Sequence, residues 1–181
     1  MKNAAIILLL IIILAGGWYL WSNKQPEDSN VPLATASSFE DCVAKGFAVM
    51  ESYPRQCKSP DGKSFTEDIG NSLEKQNLIR LASPKPNQIV MSPLIVEGEA
   101  RGTWYFEASF PVTLYDGKGN VVARAPAEAQ SEWMTENFVQ FKVGLKFTAP
   151  ETDTGFLVLS KDNPSGLPEH DDEMRIPIRF R

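Results

Sequence analysis

The chain opens on an unbroken apolar run from Ala4 to Trp21, eighteen residues without a charge. That length spans the ~30 Å hydrocarbon core of a bilayer as a slightly short helix. Trp18, Tyr19 and Trp21 stand at its distal end, where an interfacial aromatic belt belongs. Lys2 precedes the run, and Lys24, offset by Glu27 and Asp28, follows it. This bias places the N-terminus inside and the rest outside. Residues 1–21 read as a transmembrane signal-anchor, which predicts a single-pass cell-membrane protein with an extracytoplasmic C-terminal domain. A cleaved signal peptide ending near Ala15-Gly16-Gly17 is the alternative, and both readings export the chain.

The pattern then breaks. Residues 22–37 hold Pro, Ser, Asn and acids with little apolar content, the composition of a flexible stalk. Residues 38–69 read as a small α+β module. Ser38 caps a short helix in which Phe39, Cys42 and Val43 share one face, and Gly46 ends it. Residues 49–53 and 56–58 read as short strands. The turn Pro60-Asp61-Gly62-Lys63 leads to a third at 64–66. So few residues bury little core, and Cys42 and Cys57, 15 apart, are the expected staple in an exported chain. One such bridge is worth about 3 kcal/mol through loop closure.

Residues 70–77 form a polar linker. From Leu78 to Arg181 the period is two. Strands are expected at Leu78–Ala82 and Leu94–Ala100. A long one follows, with Trp104, Phe106, Ala108, Phe110, Val112 and Leu114 buried and Tyr105, Glu107, Ser109 and Thr113 outward. Pro111 inside it calls for an edge or a bulge. Asp116-Gly117-Lys118-Gly119-Asn120 turns the chain into Val121–Ala127. The last three strands are expected at 141–147, 155–160 and 174–180. Seven short alternating strands in ~100 residues predict an all-β, two-sheet sandwich of immunoglobulin type.

Three stretches go beyond pattern: Gly98-Glu99-Ala100-Arg101-Gly102-Thr103-Trp104-Tyr105-Phe106-Glu107-Ala108-Ser109-Phe110-Pro111, Trp133-Met134-Thr135-Glu136-Asn137-Phe138-Val139, and Lys161-Asp162-Asn163-Pro164-Ser165-Gly166-Leu167-Pro168-Glu169. Together and in this order they resemble the immunoglobulin-like domain of bacterial spore germination proteins, over roughly residues 80–181. The resemblance implies an immunoglobulin-like fold in an exported bacterial protein and carries no known activity.

Candidate chemistry is sparse. The net charge of −5 and the lack of a basic stripe exclude a nucleic-acid footprint. The single histidine, His170, lies near Ser165 without a nucleophile elbow or oxyanion signature, so no catalytic residue is expected. Asp171, Asp172 and Glu173, with Asp162 or Asp153, have the oxygen chemistry of calcium sites but match no ligand-loop spacing, and neither metal nor cofactor is expected. Trp104 falls in the buried phase. Trp133 lies between strands and is a candidate anchor for a partner or a sugar. The candidate binding residues are Arg101, Trp133, Thr135, Glu136, Lys161, Asp162, Asn163 and Ser165. The expected role is recognition of a cell-envelope protein or a cell-wall glycan. A glycan-binding module or an accessory domain of an envelope enzyme is the alternative.

Overall fold

A computed structural model describes residues 34–181, so the Ala4–Trp21 run and most of the stalk lie outside it. Among the described residues no helix is long and apolar enough to cross a membrane. The chain forms two compact units: residues 34–49 with 57–65, and residues 50–56 with 66–181.

The first unit is built on helix α1 (Phe39–Ala44). Ser38 Oγ accepts the Asp41 N–H at 3.1 Å, the expected cap. Gly46, at φ 73°, closes the other end. Its N–H goes to Val43 O, and that of Phe47 goes to Cys42 O, the paired bonds of a Schellman motif. Cys42 bonds Cys57. With Ala36 and Phe39 they form a small buried cluster covered by Phe47 and Phe65. Val43, expected on the same face, is exposed, because so small a core covers only one stripe of the helix. Strands β1 (Ala48–Met50), β2 (Gln56–Lys58) and β3 (Ser64–Thr66) form a sheet in that order.

The second unit contains helix α2 (Ser72–Lys75) and seven strands. They are β4 (Ile79–Ser83), β5 (Leu94–Arg101), β6 (Ser109–Asp116), β7 (Val121–Ala129), β8 (Phe138–Leu145), β9 (Thr154–Ser160) and β10 (Glu173–Arg179). All pairings are antiparallel, in the order β10-β9-β6-β7-β8-β5-β4. Two separate sheets were expected; one continuous sheet is found, rolled nearly into a barrel. Strand β7 is the reason. It pairs with β6 from Val121 to Glu128, then joins β8 through Glu128 and Ala129 alone. This narrow crossing divides the sheet into a four-strand half, β10-β9-β6-β7, and a three-strand half, β8-β5-β4. One apolar core draws on both halves: Val96, Ala100, Phe141 and Val143 from one, Phe110, Val112, Leu157, Leu159 and Ile176 from the other. Phe110 sits at the centre, with Tyr105 and Phe141 edge-on at 5.1 and 5.0 Å.

The long strand read over residues 104–114 is broken. Gly102–Trp104 is a 3₁₀ turn, and Glu107 and Ala108 take φ of 48° and 63° in a two-residue turn between Phe106 and Ser109. Strand pairing resumes only at Ser109. The turn swaps the phase: Tyr105, expected outward, is buried, and Phe106, expected inside, is exposed. A left-handed pair without glycine leaves no mark in a period-two pattern. Pro111 lies beyond the β9 pairing, which begins at Val112, and faces Pro126 on β7. Neither proline can donate, so the two share a non-bonded position of the ladder.

Candidate functional site

Strands β5, β7 and β9 end, and β6, β8 and β10 begin, at one pole of the antiparallel sheet. Three loops gather there: residues 102–108, 130–137 and 161–172. Backbone bonds link them: Gly102 N–H to Asn137 O at 3.1 Å, and Asp162 N–H to Trp104 O at 3.0 Å. All eight sequence-derived binding residues lie in or beside these loops.

Within the pole their roles differ. Arg101 ends β5 and is engaged in holding the second loop. Its Nε donates to Asn77 O at 3.0 Å and its Nη1 to Glu136 O at 3.1 Å, and its guanidinium lies 4.1 Å from the Phe138 ring centre. The Arg80 guanidinium is 4.0 Å from the same ring. Trp133 is half-buried against the core rather than free. Thr135 Oγ1 accepts the Asn137 N–H. Gly102 makes this packing possible, since a Cβ there would overlap the carbonyl oxygens of Trp133 and Thr135. Trp104 is buried in the core, and its Nε1 is the one buried side-chain polar atom without a partner among the described residues.

In the third loop, Asn163 organises the turn. Its Nδ2 donates to Leu167 O and to Asp171 Oδ1, both at 2.8 Å, and its Oδ1 accepts from Ser165 Oγ at 2.5 Å. Ser165 Oγ also accepts the Leu167 N–H, and Gly166 takes φ 65°. Lys161 N–H reaches Asp172 O across the loop. The groups of Asn163 and Ser165 therefore build the loop. Asp153 stands at the other end of β9, remote from Asp162 and Asp171–Glu173, and pairs with Arg181. No cluster among the described residues is arranged to hold a metal ion.

What the loops expose is apolar and acidic. Phe106, Met134 and Leu167, one per loop, are 41%, 74% and 48% exposed. The three loops hold seven carboxylates and one lysine, a net −6 against −5 for the whole chain. Asp172 is balanced by Lys75 at 2.5 Å. The tips were not legible in the sequence: Phe106 read as core, and Met134 and Leu167 stand alone in polar stretches.

A cleft of about 580 Å³ lies elsewhere, along the seam between β4 and β10. Ile79, Leu81, Met174 and Ile176 give it an apolar floor, and α2 borders it. Tyr53, Arg55, Glu67 and Lys85 are its polar wall. Glu67 is 7% exposed and held by a fork, Arg55 Nε to Oε2 at 2.9 Å and Nη2 to Oε1 at 2.6 Å. Asn87 Nδ2 adds a bond at 3.2 Å. The Arg55 hydrogen bonds, with Asn87 second to them, hold the Glu67 carboxyl below the usual carboxylate range against the opposing effect of burial. None of these residues belonged to a sequence motif; Arg55 and Glu67 meet only in the fold.

A seven-stranded antiparallel sheet in this strand order, rolled around one core with its loops gathered at one end, defines an immunoglobulin-like domain. Residues 78–167 match the family model of the immunoglobulin-like domain of bacterial spore germination, and the domain they form belongs to that family. Neither a curated protein nor a solved structure matches the chain.

Proposed function

We propose that this is an extracytoplasmic recognition protein, anchored by residues 4–21, whose immunoglobulin-like domain binds another protein of the cell envelope and does no chemistry itself. The observation that carries this reading is the loop pole, with three exposed apolar side chains on adjacent loops of a rigid sheet. Functional residues gather in such loops because the scaffold positions them and tolerates their variation. The acidic surround selects for a basic partner surface and speeds encounter with it. Trp133 is half-buried against the core and the Phe138 ring is covered by the Arg80 and Arg101 guanidinium groups, which favours a protein surface over a sugar-stacking platform.

The test is in-cell crosslinking and pull-down with the full chain and with a Phe106→Ser, Met134→Ser, Leu167→Ser variant. A protein partner captured by the wild type, lost by the variant, and bound roughly tenfold more weakly at high salt supports the reading. Enrichment of cell-wall polymer alone, undiminished in the variant, would replace it with glycan binding elsewhere on the domain.

A further inference from the structure

The two edge strands are treated differently, and the difference marks a second binding place. On β10 every outward backbone group has a partner. Asn71 Nδ2 bonds Glu173 O at 2.9 Å, Arg175 N–H goes to Asn71 Oδ1 at 2.7 Å, and Arg175 O accepts from Asn71 N at 3.1 Å. Pro177 has no N–H, and its O accepts from Asn87 N at 2.8 Å. Arg179 bonds Gln88 O and Val90 N at 3.0 and 2.8 Å. Edges left open recruit other strands, and this one is closed.

Strand β4 is not closed. Arg101 N–H donates to Leu78 O, which sets the alternation of the ladder with β5. Arg80 then bonds across to Glu99, and Leu81 turns its N–H and C=O away from β5. No loop or turn backbone among the described residues takes those two groups, which lie just before a register shift between Leu81 and Ser83. Leu81 lines the 580 Å³ cleft, with the apolar floor beneath. Lys85 stands at the rim, and its ammonium has no ion pair among the described residues.

We propose that this cleft takes an extended segment of a partner polypeptide, added as a short strand to β4. The segment pairs its backbone with Leu81, sets an apolar side chain over Ile79, Met174 and Ile176, and brings a carboxylate to Lys85. A peptide supplies the donor and acceptor at strand spacing that Leu81 lacks, together with alternate side chains for the floor. The segment is short, because α2 bounds the cleft on one side and Lys85-Pro86 line the other.

The test uses the full ¹⁵N-labelled chain in detergent micelles and the pentapeptide acetyl-Val-Asp-Val-Asp-Val-amide. The Leu81 amide signal is expected to shift saturably and its hydrogen exchange to slow. N-methylation of the central valine is expected to weaken binding about tenfold, the effect of one lost hydrogen bond. Lys85→Glu, at an exposed position, is expected to weaken it roughly threefold to tenfold. No saturable shift at millimolar peptide, or equal binding of the N-methylated peptide, overturns the proposal. So does saturation by dodecanoate with the Leu81 amide unmoved, which assigns the cleft to a small amphiphile.

Discussion

At the scale of single residues, Arg55 and Glu67 have the sharpest energetics. Glu67 is buried and its carboxylate is held by one fork. Arg55→Ala leaves a buried charge short of donors, a loss of about 2 kcal/mol, at the low end for buried pairs because the arginine is half exposed. Chemical denaturation of both proteins checks this. The pH dependence follows from the direction of the shift. With its folded pKa depressed, Glu67 contributes its full stabilisation above the ordinary carboxylate value and loses it as pH falls through the lower folded value. Wild-type stability should therefore decline below about pH 4, and the part of that decline due to Glu67 should disappear in Arg55→Ala. A variant with the same acid slope as the wild type would show that the pair is not responsible. Ala108, at φ 63° without a glycine's freedom, gives a prediction of the opposite sign. Ala108→Gly should raise stability by about 0.5–1 kcal/mol, the left-handed strain it relieves less the entropy it adds, measured as an upward shift in Tm.

At the scale of elements, Gly102 decides whether the second loop docks. Gly102→Ala should push the carbonyls of Trp133 and Thr135 away and cost more than about 2 kcal/mol, since both obstacles are backbone. The same change at Gly119 meets open space, and its cost there is that of the φ of 85° alone. A red shift of tryptophan emission in the Gly102 variant would report Trp133 leaving the core. The elements themselves were largely legible. Phe141, Val143, Leu145 and Phe147 alternate without interruption, and β8 holds the first three, starting earlier at Phe138 and ending at Leu145; the Asp116-Gly117-Lys118-Gly119-Asn120 turn joins β6 to β7 as read. Asp116 is the physical reason, accepting the N–H groups of Lys118 and Asn120 at 2.9 and 2.8 Å. What escaped the pattern was backbone geometry carried by ordinary residues: the Glu107-Ala108 turn, and the crossing of β7 between halves at Glu128 and Ala129. Periodicity records which face is buried and is silent on which neighbour a strand will join.

At the scale of the whole molecule, the two units should respond separately to chemistry placed in one of them. Cys42→Ser removes the bridge beneath the α1 cluster and should cost that unit about 3 kcal/mol. Amide exchange should then quicken in α1 and β3 while β5, β6, β8 and β9 keep their protection. Uniform loss across all of them would show that the units melt together. The closed edge of β10 has a further consequence, in time rather than in space. Asn71 reaches Arg175 across 104 positions of chain, and the bonds of residues 87–90 to β10 are almost as distant in sequence. These are among the largest loops the domain must close, and contacts of such separation form slowly and late. Until they form, β10, which carries Met174, Ile176 and Ile178 into the core, is held along one side only, by β9. On the proposed extracytoplasmic placement the chain meets proteases before that point, so survival of the newly made protein should depend on how fast this last strand is latched.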